Sequence, residues 1–123
     1  MTKEKRMLIY NKFGGHCAYC GCKLEYKDMQ VDHIISQREM EYGIAAGYIE
    51  KKERNAIKNL NPSCRMCNHY KRANSLETFR NIIATMHERL ESVYLYRVAK
   101  NFGTIREHRW DGKFYFERER WTK

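Results

Sequence analysis

Four of the five cysteines stand as two Cys-x-x-Cys pairs, Cys17/Cys20 and Cys64/Cys67, with residues 21–63 between them. Two thiolates separated by two residues can reach one tetrahedral metal ion from a single turn, and a second pair completes a four-sulfur shell. The chain begins Met1-Thr2-Lys3-Glu4-Lys5-Arg6 and leads into no apolar signal core, so the pairs read as metal ligands before disulfides. On the same ground the protein is expected in the cytoplasm. The expectation is a structural zinc on Cys17, Cys20, Cys64 and Cys67, with an apparent binding energy on the order of 10–16 kcal/mol. The pairs stand further apart than in a compact zinc ribbon, so the brace encloses an insert. Cys22 is left over as a bystander, and His16 is an alternative ligand beside Cys17.

The 123 residues suffice for one compact domain, and 42% hydrophobic with 32% charged residues is the balance of a folded chain rather than a disordered one. No apolar run approaches the roughly 20 residues that span a bilayer, so no membrane partner is expected. The formal net charge of +9 favours an anionic partner, of which nucleic acid is the commonest for a soluble domain. Basic charge also serves plain solubility, so it does not decide the matter alone.

Apolar spacing and turn residues divide the chain. A short helix is expected from Lys3 to Phe13, stopped by Gly14-Gly15. Met29–Ile35 is β-prone, 36–58 is charged and partly helical with breaks at Gly43 and Gly47, and Asn59-Leu60-Asn61-Pro62 reads as a turn. A short helix over Asn68–Arg72 follows. Ser75 caps a long amphipathic helix whose face carries Leu76, Phe79, Ile82, Ile83, Met86, Leu90 and Val93, an ordinary packing stripe. Asp111-Gly112, between the runs Ile105–His108 and Lys113–Glu117, predicts a terminal β-hairpin.

The insert carries the chemistry. In Val31-Asp32-His33-Ile34 a carboxylate suited to a hard cation stands beside an imidazole able to take a proton. Asn59 and Asn68 place amides on both sides of the second cysteine pair. Lys71 and Arg72, one turn beyond Asn68, and Arg65 are placed to meet phosphate. The tail mixes Arg109, Lys113, Arg118, Arg120 and Lys123 with Trp110, Tyr115 and Trp121. That mixture suits either nucleic-acid contact or a hairpin packed on the long helix, and the second reading is preferred.

Cys-x-x-Cys-Gly (17–21), Val-Asp-His-Ile (31–34), Asn-Leu-x-Pro-x-Cys (59–64) and Cys-x-x-Cys-Asn-x-x-Lys (64–71) occur in that order. Together they resemble the zinc-containing HNH endonuclease family over roughly residues 6 to 80. Ser75–Arg80 and Phe114–Glu117 look like its short phage-type members. The resemblance implies an α+β fold: a ββα-metal core (1–80) braced by the four-cysteine zinc site, with a helix and hairpin extension (81–123) packed on it. It also implies hydrolysis of DNA phosphodiester bonds, with His33 as general base and Asp32 and Asn68 holding one Mg²⁺ or Mn²⁺. Asn59 would keep the His33 ring oriented, and the ends left would be 5′-phosphate and 3′-hydroxyl. The family's third letter is His, and here Asn68 stands in that place. His69 would substitute only if the helix turned by about 100°. Packaging or mobile-element proteins are compatible partners. The other function class is a catalytically silent zinc module that binds nucleic acid or protein.

Overall fold

The computed structural model describes residues 1–118. Helix α1 (Lys3–Asn11) starts where the Thr2 hydroxyl accepts from the Lys5 N–H. It buries Ile9 completely, and the chain then turns through Gly14 and Gly15, both at positive φ. Strand β1 (Gln30–His33) pairs antiparallel with β2 (Leu60–Ser63), matching Val31 with Pro62 and Asp32 with Asn61. Between them lies α2 (Gln37–Ala45), capped by Ser36, and beyond β2 comes α3 (Arg65–Lys71), capped by the Cys64 sulfur.

The expected turn at residues 59–62 is therefore mostly strand. Proline removes one ladder donor, which a two-stranded sheet tolerates because each strand has a free edge. The Pro62 carbonyl is used on that edge, accepting from the Ala18 N–H at 2.9 Å. Gly43 does not break α2 but lies buried within it, where an added Cβ would fall 2.4 Å from Ile49. Gly47, at φ 84°, follows the helix end.

The long amphipathic helix is in fact three: α4 (Leu76–Ala84), α5 (Met86–Leu90) and α6 (Tyr94–Asn101). Thr85 breaks the first junction with ψ 8°, and Val93 the second in an extended conformation. Of the predicted stripe Phe79 is buried and Leu76 and Ile83 pack against the core, while Leu90 and Val93 are exposed.

No hairpin forms among the described residues. Gly112 does make a turn, with the Lys113 N–H on Asp111 Oδ1, but its flanks do not pair. Instead Tyr115 and Phe116 donate their N–H groups to the carbonyls of Tyr19 and Ala18. Phe114 stacks on Phe79 with ring centres 5.1 Å apart, and Tyr19 meets both rings edge-on. Burying these rings outweighs a lone hairpin, which is marginal in water. Among the described residues no helix is long and apolar enough to cross a membrane.

Candidate active site and metal centre

The first cysteine pair sits in a tight turn: Gly21 N–H returns to the Cys17 carbonyl and Cys17 N–H to the Cys22 carbonyl. Gly21 has φ 81°, and a Cβ there would meet the Tyr115 ring at 2.7 Å, so both conformation and space call for glycine. The second pair opens α3. Cys64 N–H points at Cys17 Sγ (3.3 Å) and Cys67 N–H at Cys64 Sγ (3.4 Å). The sulfurs of Cys17, Cys20, Cys22 and Cys64 lie within 4.8 Å of one another and could hold a metal ion. Cys67 joins them through thiol hydrogen bonds with Cys17 and Cys20, which push its own thiol above the usual range, while hydrogen bonds from Cys20 and then Cys67 hold the Cys17 thiol well below it. Cys22 is thus no bystander, since five thiols crowd four coordination places. His16 instead pairs its Nδ1 with the Phe13 carbonyl at 3.3 Å.

From this knuckle the chemistry is set by β1 and α3. Cys67 and Lys71 are one helical turn apart and both buried, so fixing the cysteine aims the lysine inward at β1. Lys71 Nζ makes an ion pair with Asp32 Oδ2 at 3.1 Å and donates to the His33 carbonyl at 2.9 Å. The other partner of Asp32 is the Tyr19 hydroxyl, which donates to Oδ2. Burial pushes the Asp32 carboxyl above its ordinary value, opposed by the Tyr19 hydrogen bond and the Lys71 charge. Burial and that same carboxylate hold the Tyr19 phenol well up. Lys71, expected at a phosphate, is fully buried and serves as the counter-ion of Asp32. Periodicity could not reveal this, because it depends on which face α3 turns to the sheet.

His33 is half-buried, and its Nε2 lies 2.9 Å from Asn55 Oδ1. An amide oxygen only accepts, so this contact places the ring proton on Nε2 and leaves the Nδ1 lone pair free. Asn59 contacts the backbone instead of the ring. Its Oδ1 accepts from Ile35 N–H (2.8 Å) and its Nδ2 donates to the Ile35 and Arg54 carbonyls, both at 3.1 Å. It fastens the chain just after His33 and just before Asn55, while Asn55 touches the imidazole. Asn68 donates from Nδ2 to Gln30 Oε1 at 3.5 Å.

Asp32, His33, Asn68 and Arg72 line one open cavity of about 330 Å³, together with Ser36 and Arg38. Arg72 ends α3 at φ 52°, a conformation that favours glycine, which sets an exposed guanidinium at the rim. His69 and Arg65 are exposed and outside this lining, with His69 edge-on to Tyr70. Sequence reasoning missed Tyr19, Asn55 and Arg38. Tyr19 stands between the first two cysteines, which was the one available signal for it. In the tail, Trp110, Phe114 and Tyr115 pack inward, Arg118 pairs with Asp111, and Arg109 and Lys113 are exposed. Arg120, Trp121 and Lys123 lie outside the described residues.

Comparison with known families agrees with this arrangement. Residues 17–74 match the HNH endonuclease family. No curated protein and no solved structure matches the chain. The HNH match spans both cysteine pairs, both strands, α3 and every residue of the cavity, and ends before α4. HNH proteins are generally nucleases, so the match supports nuclease-type activity at the level of the family.

Proposed function

We propose that this protein is a divalent-metal-dependent endonuclease that hydrolyses DNA phosphodiester bonds in the cavity between β1 and α3, built on a zinc-braced ββα core. The observation that carries this is the joint lining of one cavity by Asp32, His33, Asn68 and Arg72, which are scattered in the chain. His33 is the general base: Asn55 holds the proton on Nε2, and Nδ1 takes the proton of the attacking water. Asn59 is a positioning residue, acting through the backbone that presents His33 and Asn55. Arg72 at the rim, and Arg65 further out, meet phosphate oxygens.

The hard oxygens of Asp32 and Asn68 suit Mg²⁺ or Mn²⁺, and the thiol cluster suits zinc. A divalent cation held by Asp32 and Asn68 would supply positive charge for the scissile phosphate and the leaving 3′ oxygen. The Asp32 carboxylate would then be shared between such a cation and the buried Lys71 ammonium, which lies 3.1 Å from its Oδ2. Cys17, Cys20, Cys64 and Cys67 would hold the zinc, with Cys22 close enough to compete.

The test is nicking of supercoiled plasmid with Mg²⁺ or Mn²⁺, beside His33→Ala. Cleavage by the parent chain and its loss in the variant, by about 100-fold or more, is the expected result. No cleavage with either metal, or equal cleavage by His33→Ala, overturns the reading. Mapped ends should carry 5′-phosphate and 3′-hydroxyl groups.

A further inference from the structure

The run Cys20-Gly21-Cys22 brings a fifth thiol to the metal knuckle, and the backbone holds it there. Gly21, at φ 81°, turns the chain after Cys20, and the Cys22 carbonyl accepts the Cys17 N–H at 2.8 Å. The two ends of residues 17–22 are thereby tied together. The Cys22 sulfur lies within 4.8 Å of those of Cys17, Cys20 and Cys64, and these three lie within the same distance of one another.

Zinc–sulfur bonds of about 2.3 Å set the edge of a four-sulfur tetrahedron at about 3.8 Å. Cys20 and Cys64 already stand at that separation, 3.8 Å. The other sulfurs of the group need to close by no more than about 1 Å to complete a shell, a movement that rotation about the Cα–Cβ bonds supplies without shifting the backbone. Cys67 is anchored differently: it is buried in α3 and makes thiol contacts with Cys17 and Cys20. Structural zinc takes four ligands, so five thiols cannot all bind it. Cys17, Cys20 and Cys64 are common to both shells, and Cys22 and Cys67 are two candidates for the remaining place.

Which of the two binds matters to α3. Cys64 caps the helix and is a ligand in either case, whereas Cys67 stands one turn before Lys71, the buried counter-ion of Asp32. Ligation by Cys67 fixes that turn to the metal, and ligation by Cys22 leaves it held by its other contacts.

We propose that Cys22 is a ligand of the metal and shares the fourth coordination place with Cys67, while Cys17, Cys20 and Cys64 hold the other three. This rests on the metal reading of the thiol cluster and is independent of the nuclease reading.

The test uses the full chain loaded with a spin-½ isotope of cadmium, a soft cation that takes thiolate sites and couples to the Hβ protons of the cysteines that bind it. Proton–cadmium correlation spectra of the parent chain should contain cross-peaks from Cys22 as well as from Cys17, Cys20 and Cys64. Native mass spectrometry should find Cys67→Ser still carrying its zinc, because Cys22 completes the shell. Adding Cys22→Ser to Cys67→Ser should weaken zinc binding at least about tenfold further in competition with a chelator of known affinity. The cadmium spectrum is read on the unsubstituted chain, so a variant that fails to fold leaves the decision intact. Cross-peaks from Cys67 and none from Cys22 overturn the proposal while leaving a zinc site on Cys17, Cys20, Cys64 and Cys67 in place. Equal zinc affinities of the single and double variants overturn it as well. A chain that takes up neither metal overturns this proposal and the zinc reading together.

Discussion

The segment 17–74 and the arm formed by α5 and α6 treat side chains in opposite ways. In the first, charged and polar groups lie inside: Asp32, Lys71, Asn59, Asn61 and Ser63 are buried. In the second, apolar groups lie outside, and the ion pairs of Lys100 with Glu91 and Glu107 are partly exposed. A buried ion pair survives only where surrounding structure holds both partners in register, since desolvation costs several kcal/mol per ion. Two cysteine pairs crowded around one point do that for β1 and α3, because the turns bearing the sulfurs also bear Tyr19 and Lys71. Among the described residues the arm's ion pairs, Lys100 with Glu91 and Glu107, are close in sequence. A rigid, charged interior suits chemistry, whereas the arm leaves Tyr94, Leu95 and Phe102 exposed.

The largest effect that can break this contrast is removal of the brace. If the thiol cluster holds zinc, Cys17→Ser should lose the cooperative thermal transition of the chain, because zinc contributes on the order of 10–16 kcal/mol against a typical net stability of about 5–15. Metal content measured by mass spectrometry should fall in step, and a strong chelator should reproduce the loss in the parent protein. An unchanged melt after complete chelation would show that the brace does not hold the charged interior together.

Next comes the interior pair itself. Lys71→Met leaves the Asp32 carboxylate buried with the Tyr19 hydroxyl as its remaining partner, and should cost about 3–5 kcal/mol in chemical denaturation. Adding Asp32→Asn should return a large part of that loss, since no buried charge remains unpaired. Additive losses in this double-mutant cycle would mean that the two residues do not act as a pair.

What was legible in the sequence divides along the same line. The thiol spacing, the short strand carrying Asp32 and His33, and the cap at Ser75 are local signals, and the structure contains each. Residues 59–62 look like a turn because Asn and Pro favour one, yet pairing with a strand nearly thirty positions earlier decides their conformation. Whether Lys71 points to solvent or to Asp32 depends on how α3 is rotated, and periodicity carries no information about which partner a face meets. Asn55 reaches the His33 ring through the fold of the insert, whereas Asn59, the better sequence candidate, bonds to backbone. The long stripe from Leu76 to Val93 fails at Thr85 and Val93, and Leu90 and Val93 in its second half are exposed. The Asp-Gly turn forms, but aromatic packing on Tyr19 and Phe79 takes the strands it would have joined.

Between the two regions stands Arg80 on α4, which ties the C-terminal segment down. It donates to Glu117 through both terminal nitrogens at 2.6 Å, and Glu117 in turn accepts from the Phe114 N–H at 2.9 Å. The Arg80 hydrogen bonds hold the Glu117 carboxyl below its usual value. A depressed carboxylate gives stability that is present above the unfolded value, near 4.3, and is lost as pH falls through the lower folded value. Glu117→Gln should therefore cost about 1 kcal/mol at neutral pH after allowance for solvent screening. The difference from the parent should shrink below pH of about 4, as the parent's own carboxylate takes up its proton. A deficit constant from neutral to acid pH would mean that shape, not charge, fastens this segment.

The smallest effect sharpens the contrast from the other side. Lys100 resembles Lys71 in holding a carboxylate, and it holds two, so a count of ion pairs would rank it higher. Its partners are more than a third exposed, however, and exposed pairs contribute about 0–1 kcal/mol where buried ones cost several when broken. Lys100→Gln should leave the denaturation midpoint of the whole chain nearly unchanged. Its effect should appear locally, as faster amide exchange in residues 94–101, where the network fixes the helix with its apolar side out. A loss comparable with that of Lys71→Met would place the arm's electrostatics inside the cooperative unit, and α6 would then be part of the core's stability instead of an appendage carried by it.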